Sequence, residues 1–393
     1  MSQYTALCID ATGKQWRVPD GNLLLVGAAI DASSAETLAI GQINAIGVQV
    51  NPVSVASGAG SFAANAGTTL DPNDFACSSG IAGTGAGAGS NFAAAAATAT
   101  GSTSAAVNYG SLASGANAFA AGASTASGIS AAAFGTGLAS GRQAFAAGGA
   151  NAQDQNDFAC CEGIAGTGSG TGNNFAAGPG ASAIAPGGAS AAFGYNSQAT
   201  GYNTASFGTS TAKDPQDLAC CGATTGTGSG FGQNFWQGGS SLAIGGNAAA
   251  FGGSTANDSH DFACNQSTAG NGSSSGYNFA CGEGVANGGY SFAQGQSSLA
   301  SGQGSVAFQN GQALGSYSIA FRDSTVQSVS YAGFAANGGI VQTGGRGTAF
   351  SNGTTYNDFD TAFSQSVAGD SGNSGASGNN FAAGGVGTLA IGG

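Results

Sequence analysis

Charged residues are scarce in this chain, and their scarcity excludes whole classes of function. They make up 6% of the 393 residues, against about a quarter in an ordinary globular domain. Eighteen acidic and 6 basic residues give a formal net charge of −12. Nucleic-acid binding requires a basic face that displaces counterions, so we expect no nucleic-acid partner.

Histidine and spaced cysteine pairs are lacking as well. His260 is the single histidine, and none of the eight cysteines has Cys-x-x-Cys spacing. A zinc site needs clustered ligands, and a catalytic Ser or Cys needs a nearby base. We therefore expect no metal site, no cofactor and no enzymatic activity.

Long hydrophobic runs are missing too. No segment reaches the about 18 apolar residues of a membrane-spanning helix. Leu23–Ile30 is a short apolar run, and Met1–Ala11 lacks the basic start of a secretory signal. We expect synthesis in the cytoplasm and no membrane partner.

Glycine and phenylalanine are what the chain has in quantity. The 74 Gly residues argue against long helices, since each Gly inside a helix costs about 1 kcal/mol relative to Ala. The 23 Phe residues recur at regular intervals, whereas disordered chains are poor in aromatic residues. The composition therefore predicts ordered repeats with little helix.

A short repeat predicts the architecture. Ser241-Leu242-Ala243-Ile244-Gly245 recurs at 388–392 and 37–41. In a strand, Leu242 and Ile244 share one face and Ala243 lies on the other. Two such strands, one per seven residues, would make a coil of fourteen, with Phe, Leu and Ile buried along the axis. Stacked coils form a β-solenoid.

A longer repeat carries most of the cysteines. Four blocks read Asp-x-x-Asp-(Phe/Leu)-Ala-Cys, beginning at Asp71, Asp154, Asp214 and Asp258. An Asn-Phe pair follows each block. The number of residues from the Phe or Leu of the block to the Phe of this pair is the same in all four blocks, as from Phe75 to Phe92. A degenerate fifth copy starts at Asn357-Asp358-Phe359. The constant interval predicts a fixed coil. The paired Asp residues are typical of turns, with a calcium site as the alternative.

The cysteines suggest a lock between chains. In a three-fold assembly, the cysteines of one chain could bond those of the next, which requires two cysteines per level. Three blocks satisfy this requirement, with the residues Cys160, Cys161, Cys220, Cys221, Cys264 and Cys281. Cys77 would be free, or would bond Cys8 or another protein. The alternative is buried thiols.

Two resemblances place these features in a biological setting. The Ser-Leu-Ala-Ile-Gly repeats resemble the head repeats of trimeric autotransporter adhesins, which implies a homotrimeric parallel β-roll. The segment Asp10–Pro19, with Leu25-Val26-Gly27 and Thr37–Ala45, is similar to the openings of bacteriophage fibre and capsid-decoration proteins. Together they imply a virion spike. The expected lack of an export signal, a coiled-coil stalk and a membrane anchor argues against an autotransporter.

We therefore predict an all-β, glycine-rich, trimeric β-solenoid fibre with short cysteine-bearing turns. Residues 1–50 would anchor it to the major capsid protein or another virion protein, residues 51–356 would form the repeat shaft, and residues 357–393 would form a distal cap. The expected function is a disulfide-linked spike on the surface of a phage virion, which stabilises the capsid and adheres weakly to surfaces. The alternative is a tail fibre that binds a receptor.

Overall fold

A computed structural model describes residues 54–391 with gaps at 87–88, 170, 187, 228–231, 274–275, 344 and 371–378. Of the first 53 residues it describes only the backbone of 4–9, 15–19, 31–32 and 38–40. The described residues contain strands and turns but no helix. They include no helix able to cross a membrane. The chain divides into two compact units, residues 1–181 (unit 1) and 182–393 (unit 2).

Each unit is a parallel β-solenoid with two sheets. Every coil gives a strand of three or four residues to one sheet, here the long-strand sheet, and a strand of two residues to the other, the short-strand sheet. Strands pair in parallel with those of the next coil, as Phe62 does with Phe75. The length of a coil is the distance along the chain between two register partners in adjacent coils. Most coils are as long as the segment from Ala105 to its partner Phe119, or as the slightly shorter segment from Phe119 to its partner Ala132. The coil predicted from the short repeat is thus confirmed.

Unit 1 begins with an antiparallel hairpin, Tyr4–Ile9 with Gln15–Pro19. Its long-strand sheet contains Leu38–Ile40, Phe62–Ala64, Phe75–Cys77, Phe92–Ala94, Ala105–Val107, Phe119–Ala121, Ala132–Phe134, Phe145–Ala147, Phe158–Cys160 and Phe175–Ala177. Its short-strand sheet contains Asp31–Ala32, Val55–Ala56, Thr68–Thr69, Ile81–Ala82, Thr98–Ala99, Leu112–Ala113, Thr125–Ala126, Leu138–Ala139, Asn151–Ala152 and Ile164–Ala165.

Unit 2 repeats the same plan. Its long-strand sheet contains Ser190–Phe193, Thr204–Phe207, Leu218–Cys220, Phe235–Gln237, Ala249–Phe251, Phe262–Cys264, Phe279–Cys281, Phe292–Gln294, Val306–Phe308, Ile319–Phe321, Phe334–Ala336, Thr348–Phe350, Thr361–Phe363 and Phe381–Ala383. Its short-strand sheet contains Ser182–Ala183, Gln198–Ala199, Thr211–Ala212, Thr224–Thr225, Leu242–Ala243, Thr255–Ala256, Thr268–Ala269, Val285–Ala286, Leu299–Ala300, Gln312–Ala313, Thr325–Val326, Ile340–Val341, Thr354–Thr355, Val367–Ala368 and Leu389–Ala390.

Alanine fills the core, which corrects the expectation that Phe, Leu and Ile lie inside. The middle residue of most three-residue strands and the second residue of most two-residue strands are Ala at 0% exposure, whereas Leu242 and Ile244 are only half-buried. A coil this short encloses a narrow interior, in which methyl groups pack and larger side chains rarely fit. One exception is Trp236, which is fully buried between Ala219 and Ala250 of the adjacent coils.

Close approach between successive coils explains part of the glycine content. A Cβ on Gly128 would lie 1.9 Å from the carbonyl oxygen of Gly141 in the next coil. Such a contact is impossible for any side chain, because heavy atoms in proteins do not approach so closely. At this position the glycine brings neighbouring coils of one chain together.

Candidate interface: the aromatic and cysteine face

The outer surface of the long-strand sheet carries most of the phenylalanines. Because side chains alternate along a strand, the first and third residues of each three-residue strand point outward when the middle Ala points inward. In unit 1 the rings of Phe62, Phe75 and Phe92 stack at centroid distances of 4.9 and 5.1 Å. A second run in unit 1 has distances of 4.7 to 5.5 Å and consists of Phe119, Phe134, Phe145, Phe158 and Phe175.

Unit 2 has a longer run of rings in contact. Neighbouring centroids lie 4.7 to 5.9 Å apart. The members are Phe235, Phe251, Phe262, Phe279, Phe292, Phe308, Phe321, Phe334, Phe350, Phe363 and Phe381. These rings are half-buried or exposed, with Phe381 65% exposed at the end of the run. The outward positions of the described long strands hold no charged residue. We call this surface the aromatic and cysteine face.

Five cysteines lie in the third position of these strands, beside the aromatic rings. The Phe-Ala-Cys sequence, which is Leu-Ala-Cys at Cys220, turns its Ala inward, so the first residue and the Cys share the outer face. The five are Cys77 and Cys160 in unit 1 and Cys220, Cys264 and Cys281 in unit 2. All five are half-buried.

Cys264 and Cys281 are joined by a disulfide within one chain. They are direct register partners in adjacent coils, with Cα atoms 4.6 Å apart. The sequence predicted that these two thiols bond between chains, and the structure differs because the longer coil brings the second cysteine next to the first. An interchain bond of either thiol would require exchange of this disulfide.

The adjacent cysteine pairs remain as free thiols. Cys160 and Cys220 end their strands, and Cys161 and Cys221 follow at exposed corners with φ of 56° and 62°. Burial raises the pKa of the Cys160 and Cys220 thiols, and the neighbouring Cys161 and Cys221 raise it further. The Cys220 thiol also donates a hydrogen bond to the Trp236 carbonyl oxygen at 3.2 Å. The raised pKa leaves less thiolate on Cys160 and Cys220 at neutral pH, and this makes both thiols weaker nucleophiles.

Cys77 stands alone at its level. It is half-buried and free, and its register partners are Ala64 and Ala94. Cys8 lies in the hairpin strand Tyr4–Ile9, and its side chain lies outside the described residues. Bonding of the four adjacent cysteines between chains stays a prediction, as do the roles of Cys77 and Cys8.

The constant interval of the longer repeat is one complete coil with extra residues at a corner. Phe75 pairs with Phe92 in the next coil, and it pairs with Phe62 across the shorter coil before it. The extra residues lie between the short strand Ile81–Ala82 and Asn91. The prediction of a fixed coil is confirmed.

A buried Asp–Asn cluster holds each of these long coils. In unit 1, Asp74 Oδ1 accepts hydrogen bonds from the backbone and side-chain N–H groups of Asn91, at 2.9 and 3.1 Å. Asp74 Oδ2 accepts the backbone N–H of Asp71, and Asp71 Oδ2 accepts that of Thr84 at 2.7 Å. The same pattern recurs around Asp157, Asp217 and Asp261.

These contacts favour the turn interpretation over the calcium alternative. The carboxylate oxygens accept backbone and amide N–H groups, as in turns and caps. Within the described parts of the chain, no three His, Cys, Asp or Glu side chains come together as a metal site. Burial raises the pKa of Asp74, Asp157 and Asp217, and raises that of Asp261 to about 6, although hydrogen bonds from Asn91, Asn174, Asn234 and Asn278 oppose the rise.

One glycine in each cluster has no tolerable substitute. Gly83 has a φ of 87°, and a Cβ there would lie 2.3 Å from Asp74 Oδ2 and 2.7 Å from Asp71 Oδ2. The equivalent glycines in the other clusters are Gly166, Gly226, Gly270 and Gly369. The sequence shows these glycines only as part of a glycine-rich tract.

The fifth copy of the block is aligned differently from the prediction. Asp360, not Asp358, accepts the N–H groups of Asn380, and its other oxygen accepts the backbone N–H of Asn357. Thr361 therefore takes the place expected for Phe359 and pairs with Phe381. Asn357 stands where the other clusters have their first Asp.

No protein-family model, curated protein or solved structure matches this chain.

Proposed function

We propose that this protein is a non-enzymatic structural component of a phage virion, a homotrimeric spike that decorates the capsid and is locked by disulfides between chains. The observation that carries the structural role is the aromatic and cysteine face. Rows of half-buried Phe rings leave apolar area in contact with water, and association would remove it. A fibre that buries this face against two further copies gains stability along its length.

The adjacent thiols support a link between chains at defined levels. Cys160 and Cys161 are neighbours that do not bond each other, and the same holds for Cys220 and Cys221. In a three-fold assembly, two thiols per chain at one level suffice for three bonds. A disulfide of this kind forms after release into an oxidising environment. The virion setting is supported by the resemblance of residues 1–50 to phage fibre and decoration proteins.

A non-reducing gel of the oxidised protein, run beside sedimentation analysis, tests the assembly. We expect a species of three times 37.0 kDa that becomes a monomer on the gel after reduction. The variant with Cys160, Cys161, Cys220 and Cys221 all changed to Ser should lose the covalent trimer. The matched control, Cys264→Ser with Cys281→Ser, should keep it, because that bond lies within a chain.

A monomer in both the gel and the sedimentation experiment would refute the trimer. Labelling intact particles with an antibody against the chain tests the virion role separately. Label on the capsid supports decoration, label on the tail supports the receptor-binding fibre, and particles without label contradict both.

A further inference from the structure

A row of side chains projects from one corner of the unit 2 solenoid, just before the long strands. It holds one residue from each of six successive coils, Gln216, Gln233, Asn247, His260, Tyr277 and Tyr290, and we call it the corner ridge. The coils are joined there by backbone hydrogen bonds, such as those from His260 N–H to Gly246 O and from Tyr277 N–H to Ser259 O, both 2.9 Å. All six residues are exposed.

The aromatic half of the ridge is ordered by stacking. His260 stacks on Tyr277 with ring centroids 4.4 Å apart, and Tyr277 stacks on Tyr290 at 5.1 Å, both with an interplanar angle of 4°. Tyr277 is 53% and Tyr290 is 64% exposed. The ridge thus presents a stack of aromatic rings to solvent.

The two tyrosines occupy backbone positions that do not suit them. Tyr277 and Tyr290 have φ of 65° and 55°, a left-handed conformation that Gly, Asn and His adopt more readily than bulky residues such as Tyr. The equivalent row in unit 1 is Asn73, Ser90, Thr103, Asn117, Ser130, Gln143 and Asn156. Bulky aromatic residues at strained, exposed positions indicate a role other than folding.

The amide half of the ridge adds hydrogen-bonding groups and a groove. Gln233 donates from Nε2 to Gln216 Oε1 at 2.7 Å, and the Asn247 amide lies 3.4 Å from His260 Nε2. A shallow groove of about 290 Å³ runs along Gln216, Gln233 and Asn247 and reaches Ser259. Its lining residues carry amides, a hydroxyl and backbone groups, but no charge.

We propose that the corner ridge is a binding site for a neutral polysaccharide chain. Amide side chains offer a donor and an acceptor to neighbouring sugar hydroxyls, while tyrosine rings combine an apolar body with a polar hydroxyl. Successive coils are about 4.8 Å apart, close to the length of one hexopyranose unit in a β-1,4-linked chain. The net charge of −12 disfavours polyanions such as nucleic acids and acidic glycans.

Titration calorimetry with cellohexaose and chitohexaose, two neutral hexasaccharides, tests the proposal on the full chain. The test variant combines Tyr277→Asn and Tyr290→Asn. Asn is chosen because Asn247 already occupies an equivalent position in the ridge. We expect the fold to persist and the affinity for the bound hexasaccharide to fall at least tenfold. The matched control is Tyr195→Asn, since Tyr195 is 63% exposed but lies outside the ridge, and it should bind like the unmodified protein.

Circular dichroism and sedimentation of each variant separate binding from folding and assembly. Loss of binding with an unchanged fold and oligomeric state supports the site. The proposal is overturned if neither hexasaccharide binds, if an acidic oligogalacturonate or a polyproline peptide binds in their place, or if the Tyr→Asn variant binds normally. It is equally overturned if binding is lost only together with the fold or the assembly. Failure of the trimer test leaves this measurement interpretable, because each chain carries its own ridge.

Discussion

Units 1 and 2 have the same coil and differ in what the coil displays. Both have an alanine core, stacked Phe rings and buried Asp–Asn clusters. In unit 1 the cysteine Cys160 faces Ala177 in the next coil, whereas in unit 2 Cys264 faces and bonds Cys281. The corner row is polar and non-aromatic in unit 1 and partly aromatic in unit 2. The two units therefore share their inward positions and differ in the outward ones.

The largest effect is expected from substitutions in the Asp–Asn clusters, which both units contain. Gly83→Ala in unit 1 and Gly270→Ala in unit 2 each place a Cβ 2.3 or 2.1 Å from a buried Asp oxygen. We expect each to lower the free energy of unfolding by about 3 to 5 kcal/mol, measured by urea denaturation of each variant.

Two neighbouring glycines provide controls with similar backbone conformation. Gly85 and Gly272 have φ of 79° and 81°, and a Cβ at either would meet nothing within 4 Å. Their replacement by Ala should cost only the backbone strain, about 1 to 2 kcal/mol. Equal losses at Gly83 and Gly85 would mean that the Asp–Asn cluster is not what requires glycine.

A substitution with a smaller expected effect should give unit 1 the kind of intrachain disulfide that unit 2 already has. Ala177→Cys in unit 1 places a thiol opposite Cys160, in the register that Cys281 has opposite Cys264. We expect an intrachain disulfide that stabilises the oxidised protein by about 3 kcal/mol, as for loops of similar length. Mass spectrometry after thiol alkylation detects the disulfide. Urea denaturation of the oxidised and the reduced protein measures how much the disulfide stabilises the fold.

The control for this change is Ala177→Ser, which should leave Cys160 free. The introduced bond should also weaken any covalent link between chains at this level, because Cys160 is consumed. A free thiol at both Cys160 and residue 177 after oxidation would show that register alone does not determine bonding.

The smallest effect concerns pH. The pKa of Asp261 is raised from 3.8 to about 6 by burial, so the folded chain binds this proton more tightly than the unfolded chain. Its contribution to stability is full below pH 3.8 and is lost as the pH rises through about 6. Hydrogen exchange at the Asn278 amide, which donates to Asp261, should become faster over this window once corrected for intrinsic exchange.

Asp261→Asn should abolish that pH dependence, because the side chain no longer titrates. The pKa values of Asp74 and Asp157 in unit 1 are also raised by burial, so exchange at Asn91 and Asn174 should change in the same direction. Protection at Asn278 that increases between pH 4 and pH 6 would contradict the assignment.

Much of the fold could be predicted from spacing. The recurrence of Ser-Leu-Ala-Ile-Gly predicts two strands per coil, and the constant interval from Phe75 to Phe92 and its equivalents predicts a fixed long coil. The Asp pairs could be recognised as turn residues. In the sequence, the partner Asn residues show only that the repeat recurs. Their hydrogen bonds could not be predicted, because Asp74 and Asn91 meet only after a complete coil.

Other features could not be predicted because they depend on register between coils. Cys264 and Cys281 are distant in the sequence, and their proximity follows only from the length of the coil between them. The corner ridge depends on the same register, since Tyr277 and Tyr290 come into contact only when their coils are stacked.

By itself, the sequence determined a repetitive β-solenoid, because small residues and turn residues recur at intervals that only a coiled chain satisfies. Which face of each strand lies inside was decided by the tertiary structure. Both faces of Leu242-Ala243-Ile244 are apolar, so alternation cannot distinguish them. The narrow interior of so short a coil accepts the Ala methyl group and leaves the larger side chains outside, where they form the surfaces available for assembly and binding.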